Sequence, residues 1–491
     1  MNLFFLNVLL VLPVFYLILE YTRRKFSNYP PGPYPLPILG NFLNLHKPGH
    51  IALANLAKVH GPLMSLRLGT KLLVVGSSQA AATEILKIND RVMCGRRIPQ
   101  TFEAVGKTFD LVSILGANKC NENWKMLRTM FKTELVSAEA TEEKSVLREE
   151  KVKVLIDFLS SNKGNVVNIG EVVFTTAANF ISNLLFSKDF ISIKDEGKVG
   201  AAKEHIREME RLASCFNLED YYPIFRGLDI QGLGKKALKC IESLNACWDV
   251  IIDERQESIK NGAICKDKDF LDALLANGLN KDQINWIFGE ILITGVDTSS
   301  GAVEWAMAEL IKNPEAMTKL REELTKELGG GTIVKDSDLP RLPFLNACVK
   351  ETLRLHPTVT IVTRRSTETC KVMNYTIPND SLVWVNLWAL GRDPTKWDDP
   401  SAFRPSRFLE SNLGFMGSNY EYLPFGTGRR MCPGLPLAAR LVPLIVASLV
   451  HSFDWYLPDN RSPTELDMVE KLGITLQKAE PLLLIPKSKG L

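Results

Sequence analysis

The chain has 491 residues, of which 45% are hydrophobic and 23% are charged, and its formal net charge is +3. So small a net charge is too little to argue for a protein that binds nucleic acid. The nine cysteines are scattered without paired spacing, a pattern typical of a reducing compartment rather than of a disulfide-linked secreted domain.

A predicted membrane anchor comes first in the chain. Residues 2–19 are almost entirely apolar, broken by Asn7 and Pro13, and the basic cluster Arg23–Lys25 follows them. A cleaved signal peptide would carry its positive charge first and a small-residue cleavage site afterwards. The segment therefore predicts a retained transmembrane anchor, short enough to suit the thin bilayer of the endoplasmic reticulum, with the following domain in the cytosol. A basic and proline-rich hinge at residues 20–37 then leads to one catalytic domain at residues 38–491.

Trp124 and Arg128 form the next element of interest. A spacing of four residues places both side chains on one face of a helix. Taken alone, such a pair is too common to indicate a function, and it gains weight only from the elements that follow it in the chain.

A long helix is predicted from about Asp282 to Leu310, where apolar residues recur with helical spacing. Its centre contains Gly295, Asp297 and Thr298, although glycine weakens a helix and buried polar groups cost desolvation. The Thr298 hydroxyl can bond to the carbonyl four residues earlier, so the segment predicts a local groove in the helix. An ordinary core helix is the alternative interpretation.

Glu351 and Arg354 are three residues apart and share a helix face, and Pro357 ends that helix. An exposed ion pair of this kind would be weak and very common. The face is otherwise apolar, however, and this indicates a buried pair.

One loop carries the most specific pattern of the chain. Residues 425–434, called the cysteine loop below, read Phe-Gly-Thr-Gly-Arg-Arg-Met-Cys-Pro-Gly and present Cys432 beside two arginines. Glycines let a backbone approach a flat cofactor, and arginines can neutralise its acids and hold a cysteine as thiolate. These are the requirements of a cysteinate-bound haem. A dinucleotide fingerprint would need glycine where Met431 stands, a P-loop would need Lys-Ser/Thr at Leu435–Pro436, and a turn around a buried structural cysteine is the remaining alternative.

The string Phe-Gly-x-Gly-Arg-x-x-Cys-x-Gly resembles the haem-binding signature of the cytochrome P-450 monooxygenases, and the preceding elements stand in that family's order. The resemblance implies the cytochrome P-450 fold, which is mainly α with a minor β subdomain, together with one N-terminal transmembrane anchor. It also implies haem b as the cofactor. Short strand-like runs at residues 63–75, 371–377, 382–385, 474–476 and 482–486 agree with the minor β subdomain.

The same resemblance assigns roles to individual residues. Cys432 is the expected axial ligand of the haem iron. Thr298 and Asp297 are the expected catalytic pair that delivers protons during dioxygen activation, with Asp297 connecting Thr298 to solvent. The further cofactor-binding residues implied are Trp124, Arg128, Arg364, Phe425, Gly426, Arg429 and Gly434.

The ion pair on the helix also gains a third member from the resemblance. Arg407, in a string similar to a family element, is expected to join Glu351 and Arg354 in a network that fixes the loop below the haem. The chain departs from the family's usual residues at three positions, which are Thr294, Thr363 and Ser406.

Electrons are expected from a separate protein, because the sequence contains no NAD(P)- or flavin-binding fingerprint. The resemblance implies NADPH–cytochrome P-450 reductase as the donor, docking on basic groups such as Lys125, Arg429 and Arg430. Dioxygen and the endoplasmic reticulum membrane are the other expected partners, and no nucleic acid is expected.

The strings at residues 374–378 and 453–458 are similar to a microsomal plant branch of the family that oxidises alkaloids. A small hydrophobic or amine-containing substrate is expected, first of all littorine, oxidised with rearrangement to hyoscyamine aldehyde. Benzylisoquinoline hydroxylation or phenol coupling, and hydroxylation of a monoterpenol, are the alternatives. A membrane haem-binding protein without turnover is an alternative of another class, against which Asp297, Thr298 and Cys432 argue.

Overall fold

The computed structural model describes residue 22 and residues 27–45, 48–109, 112–191, 198–262, 269–329 and 333–489. The predicted anchor at residues 2–19 and the basic cluster after it lie outside these ranges. The end of the predicted hinge packs on the domain, because the carbonyls of Pro30 and Pro31 accept hydrogen bonds from Ser65 at 2.6 and 2.7 Å. This part of the hinge is therefore docked and is not a free spacer.

Helices predominate over strands, as predicted. In chain order the described α-helices are α1 (Gly49–His60), α2 (Gln79–Thr83), α3 (Gln100–Phe109), α4 (Glu122–Phe131), α5 (Ala138–Glu143), α6 (Ser145–Ser161), α7 (Ile169–Phe186), α8 (Lys198–Ser214), α9 (Leu218–Tyr221), α10 (Leu233–Lys260), α11 (Phe270–Ala276), α12 (Lys281–Lys312), α13 (Pro314–Leu328), α14 (Pro343–Leu355), α15 (Leu387–Leu390) and α16 (Leu435–Ser452).

The central helix is α12, and it confirms the helix predicted from about Asp282 to Leu310. A capping box fixes its start, since Asn280 and Gln283 each accept a hydrogen bond from the other's backbone N–H. The helix packs against α7, α10, α14 and α16. Apolar side chains such as Val303 are fully buried in these contacts. Each contributes roughly 1.5–3 kcal/mol of burial free energy, which outweighs the helix-weakening residues at its centre.

Two of the described helices, α7 and α16, are long and apolar enough to cross a membrane by length and composition. Their apolar windows are, however, 83% and 67% buried inside the structure. Both pack against α12 and α6. Their apolar composition is therefore explained by the core of the domain.

The strands form a minor part of the fold, which confirms the predicted fold class. They are β1 (Leu63–Leu68), β2 (Lys71–Gly76), β3 (Val167–Asn168), β4 (Ile361–Arg365), β5 (Cys370–Val372), β6 (Tyr375–Ile377), β7 (Leu382–Asn386), β8 (Phe453–Tyr456), β9 (Glu470–Leu472), β10 (Leu476–Lys478) and β11 (Leu483–Ser488). One sheet has the order β1-β2-β7-β4 and is antiparallel except for the β2–β7 pair. A second has the order β3-β11-β8, and β5–β6 and β9–β10 form two-stranded pairs.

Two of the predicted strand-like runs are hairpins. In residues 371–377, Met373 and Asn374 form the connection with φ angles of 47° and 68°, the sign that a tight type I′ turn requires at both positions. In residues 63–75, Gly69 stands in the turn between β1 and β2 with φ 55°. The strand-like runs predicted the strands, whereas their turns lack the usual Asn-Gly signal.

Candidate active site

A cavity of about 1310 Å³ lies between the middle of α12, the cysteine loop and the four-stranded sheet. Ligand pockets are commonly roughly 300–1,000 Å³, so this volume has room for a large flat cofactor together with a second molecule. Six predicted site residues line its wall, namely Thr298, Arg364, Phe425, Gly426, Cys432 and Gly434. Four others lie outside the wall, namely Trp124, Arg128, Asp297 and Arg429.

The Cys432 side chain is exposed to this cavity. Its backbone N–H donates to the Phe425 carbonyl at 3.0 Å, which closes the cysteine loop. Burial raises the pKa of the Cys432 thiol, while the N–H groups of Gly434 and Leu435 and the charge of Arg128 act to lower it. Because α16 begins at Leu435, the sulfur faces the positive end of a helix, where a thiolate is stabilised.

Glycine leaves space for a flat group beside the sulfur. Gly426 has φ 67°, and the position that a Cβ would take there is open. At Gly434 a Cβ would lie 3.9 Å from the Cys432 sulfur. Phe425 is held edge-on against Phe415, with ring centroids 5.3 Å apart. The loop therefore offers a shallow, rigid surface around one sulfur atom.

Arginine side chains concentrate positive charge next to this surface. Arg96, Arg364 and Arg430 line the cavity. Burial and the charges of neighbouring arginines lower the pKa of Arg96 to about 10 and that of Arg364 to about 9. The Nε of Arg96 is also buried without a hydrogen-bond partner in the described part of the chain. Crowded buried cations are costly unless an anion pairs with them, so these residues fit the acidic side chains of haem.

The two adjacent arginines of the cysteine loop have opposite environments. Arg429, predicted to bind the cofactor, is 48% exposed and pairs with Asp90 at 2.8 Å. Arg430 is buried and lines the cavity, and its Nε donates to the Cys94 carbonyl at 2.9 Å. Both stand in one turn of 3-10 helix, where successive side chains point about 120° apart. The structure thus brings Arg430, and not Arg429, to the cofactor cavity.

Trp124 and Arg128 lie one layer behind the wall. The Trp124 indole N–H donates to the Ile114 carbonyl at 2.9 Å, so this donor is already engaged. Arg128 donates to the Met431 carbonyl at 2.7 Å and therefore holds the cysteine loop. The guanidinium groups of Arg128 and Arg430 lie 5.4 and 5.0 Å from the centre of the Trp124 ring. Trp124 and Arg128 share one face of helix α4, as predicted, but the contacts of both side chains are with other protein groups.

Thr298 lies on the cavity side of α12, and its hydroxyl donates to the Thr294 carbonyl at 2.8 Å. This is the predicted bond to the carbonyl four residues earlier. Thr294 makes the same bond to the Glu290 carbonyl at 2.7 Å. A Cβ at Gly295 would lie 2.7 Å from the Cδ1 atom of Ile181 on α7, so the end of that side chain would have to shift if the residue were larger.

Asp297 does not face the cavity. It is 7% exposed and accepts hydrogen bonds from Thr475 and from Gln477, the latter at 3.0 Å. Burial raises the pKa of its carboxyl, and the two hydrogen bonds act in the opposite direction. The expectation that Asp297 links Thr298 directly to solvent does not match this placement, because the carboxylate is held against the C-terminal strands.

Glu351, Arg354 and Arg407 are brought together as expected. Arg354 donates to the two Glu351 oxygens at 2.7 and 2.8 Å, and Arg407 donates to one of them at 3.0 Å. The backbone N–H of Arg404 adds a bond at 2.8 Å. The side chains of Glu351 and Arg354 are 0% exposed. The network joins α14 to the segment at residues 398–408.

Sequence reasoning did not assign Arg96, Glu290 and Arg430 to the wall, although all three line it. Arg96 and Glu290 stand in no recognisable motif, and their neighbours in space are distant in sequence. The spacing of Glu290 could have identified it, because it stands four residues, about one helical turn, before Thr294 and therefore on the same face of the long helix.

Of the three departures from the family pattern, Thr294 and Thr363 line the cavity and Ser406 does not. Differences at Thr294 and Thr363 are therefore placed to act on a bound molecule. Ser406 lies beside the ion-pair network in a short 3-10 turn.

Exposed apolar side chains stand in the chain segments that contain three aromatic residues of the cavity wall. The Phe42 ring contacts Phe216 and Tyr221 at centroid distances of 5.1 and 5.0 Å, and all three line the cavity. The exposed apolar residues in the same two segments of the chain are Tyr34, Leu36, Ile38, Leu39, Leu43, Ile224, Leu228 and Ile230. The Tyr222 hydroxyl donates to the Ile38 carbonyl, which ties the two segments together. Such a patch is typical of a contact with a protein or a membrane.

Comparison with known proteins gives a consistent result. The family described as Cytochrome P450 matches residues 30–485. The chain is 44% identical over 485 residues to corytuberine synthase of Coptis japonica, covering 98% of both chains. It is 45% identical over 477 residues to a probable (S)-N-methylcoclaurine 3'-hydroxylase of the same plant, covering 97% of this chain and 96% of the relative. Geraniol 8-hydroxylase of Swertia mussotii is 38% identical over 478 residues, with 95% of both chains covered.

A solved structure shares the fold. It is a zebrafish cytochrome P450 with progesterone, which superposes with a TM-score of 0.77 and covers 90% of this chain and 100% of its own. The two sequences are 24% identical, so this likeness concerns the fold alone.

Proposed function

This chain belongs to the cytochrome P450 family and is a haem-dependent monooxygenase of plant specialised metabolism, and we propose that it oxidises an alkaloid at the endoplasmic reticulum membrane. The observation that carries the proposal is the Cys432 thiol, which faces a cavity shared with Thr298 and with Arg96, Arg364 and Arg430. The alkaloid is supported by identities of 44% and 45% to the first relatives, against 38% to geraniol 8-hydroxylase.

Haem, when bound, supplies the activation of dioxygen and the transfer of one oxygen atom to the substrate. Cys432 would hold the iron, and the arginines of the wall would hold the acidic side chains. The Thr298 hydroxyl gives its own hydrogen to the Thr294 carbonyl, so its lone pairs remain free toward the cavity. In that orientation Thr298 accepts a hydrogen bond from one hydrogen of a water molecule. The other hydrogen of that water then points into the cavity, where it can be donated as a proton.

Replacement of Thr298 by alanine is expected to uncouple the reaction. The variant loses the hydroxyl that positions the proton-donating water, so NADPH is consumed while peroxide replaces product. We expect product per NADPH to fall about tenfold or more, the lower range for loss of an acid–base group. Simultaneous measurement of NADPH, peroxide and product checks this. Thr298→Ser keeps the hydroxyl and should retain most of the coupling; tight coupling in Thr298→Ala would refute the role.

The electron donor is the NADPH-dependent reductase, and the expected docking residues differ in accessibility. Lys125 is 59% exposed and Arg429 is 48% exposed. Arg430 is buried and holds backbone carbonyls inside the domain. The docking surface therefore includes Lys125 and Arg429 but does not include Arg430.

Littorine is the first substrate to test, with benzylisoquinolines next and a monoterpenol as the second candidate class. Hydroxyl groups of Thr294, Thr358 and Thr363 on the cavity wall support a polar ester or amine over a terpene. The exposed apolar residues in the segments of Phe42 and Tyr221 support a position at the membrane, from which such a substrate would enter.

Binding spectra of microsomes with reductase test the substrate class. Littorine, N-methylcoclaurine and geraniol are titrated, and products are identified by mass spectrometry. We expect at least one alkaloid to bind about tenfold or more tightly than geraniol, a difference of about 1.4 kcal/mol. Turnover of geraniol alone would replace the alkaloid by a terpenoid assignment. The same preparation tests location, since recovery of the enzyme in the soluble fraction would contradict the membrane assignment.

A further inference from the structure

One face of α12 presents three polar residues to the cavity at intervals of four. They are Glu290, Thr294 and Thr298. With a rise of 1.5 Å per residue, Glu290 lies about 12 Å along the helix axis from Thr298. A group bound at Glu290 would therefore leave the rest of a medium-sized molecule to extend toward Thr298.

The Glu290 carboxylate has uneven hydrogen bonding. Its Oε1 accepts from the Ser113 hydroxyl and from the backbone N–H groups of Leu115 and Gly116, at 3.1 and 2.8 Å for the latter two. Its Oε2 accepts only from the Ile114 N–H, at 2.8 Å. A carboxylate has about four acceptor positions on its two oxygens, so Oε2 retains one. All four donors are uncharged, and no ion pair within 4 Å joins Glu290 in the described residues, while the charges of Arg96, Arg128 and Arg430 act on it at longer range.

The described wall contains a second carboxylate, which is already engaged. Asp220 is the other carboxylate, and it lies 3.5 Å from Arg97 and accepts the Gln100 N–H. The arginines of the wall cluster where the acids of the cofactor belong. Glu290 is thus the wall carboxylate available to a cationic molecule.

We propose that Glu290 is the counter-ion that binds the protonated amine of the substrate and directs the substrate's oxidised carbon toward Thr298. Oε1 holds the loop at residues 113–116, and Oε2 accepts the ammonium N–H. The inference rests on the proposed function, because a neutral terpenoid carries no charge for Glu290 to recognise.

The test compares one skeleton with and without charge. An N-methylbenzyltetrahydroisoquinoline, which is cationic at neutral pH, and its neutral N-acetyl counterpart are titrated into the full-length haem enzyme, and dissociation constants are read from the Soret band. Glu290→Gln removes the charge and keeps the size and an acceptor oxygen. We expect it to weaken the cation about 10- to 100-fold and to change the neutral probe less than about threefold, as for loss of a partly buried charge pair.

Ser113→Ala is the matched control, because it removes one contact to the loop and leaves the charge. It should affect both probes equally and weakly. Glu290→Asp withdraws the charge by one methylene and serves if the Gln variant does not incorporate haem. It should weaken the cation severalfold and spare the neutral probe.

Two outcomes would overturn the inference. Equal weakening of both probes by Glu290→Gln would show that Glu290 only anchors the loop, and the alkaloid assignment would stand. A wild-type enzyme that binds the neutral probe as tightly as the cation would overturn both the inference and the alkaloid assignment.

Discussion

Cys432→Ser is expected to abolish monooxygenase activity and to remove the spectroscopic signature of a thiolate-bound haem. Serine keeps the shape of the side chain, but its hydroxyl ionises far less readily than a thiol at the start of α16. We expect product formation to fall about 10³-fold or more, because the loss of the metal's electronic activation corresponds to several kcal/mol. The reduced enzyme with carbon monoxide should lose its red-shifted Soret band.

The matched control is Cys247→Ser, since Cys247 is an exposed cysteine on α10 and does not line the cavity. That variant should keep both the red-shifted band and the turnover. An unchanged band in Cys432→Ser, or the loss of the band in Cys247→Ser, would sink the assignment of Cys432 as the iron ligand.

The cysteine loop and the long helix could be predicted because their chemistry is local. The glycines, the cysteine and the start of α16 lie within a few residues of each other, so the sequence pattern fixes their mutual geometry. The back-bond of Thr298 likewise needs only the carbonyl one turn earlier, and it is present at 2.8 Å. The mainly α fold follows from apolar periodicity in helices such as α12.

Side-chain direction at the site could not be predicted, because it depends on residues distant in the chain. Asp297 and Thr298 are neighbours on one helix, yet Asp297 faces Thr475 and Gln477 in the C-terminal region. Successive helical residues point about 100° apart, so a motif that contains both does not say which one faces the cavity.

The directions of the Arg429 and Arg430 side chains, in one turn of 3-10 helix, could not be predicted for the same reason. The pattern requires an arginine near Cys432, and two stand there. Asp90 pairs with Arg429 on the outside, and the Cys94 carbonyl accepts from Arg430 on the inside. These partners lie more than 300 residues earlier, so no local pattern could have separated the two arginines.

Glu351→Gln is expected to have the largest effect on the stability of the domain. Arg354 is 0% exposed, and Glu351 supplies its carboxylate partner at 2.7 Å, so the substitution leaves a buried guanidinium without a compensating charge. Breaking a buried pair in this way costs about 3–5 kcal/mol of the free energy of unfolding. The loss also frees the segment at residues 398–408, because Arg407 and the Arg404 N–H bind the same carboxylate.

Urea unfolding followed by fluorescence, together with the haem content of purified enzyme, measures this cost. Arg404→Ala is the matched control, because it breaks the exposed pair with Asp398, whose side chains are 44% and 85% exposed. An exposed pair contributes about 0–1 kcal/mol, so the control should unfold at nearly the wild-type midpoint. Equal midpoints for Glu351→Gln and Arg404→Ala would mean that the buried network does not hold the loop below the haem, and the expected role of Glu351, Arg354 and Arg407 would fall with it.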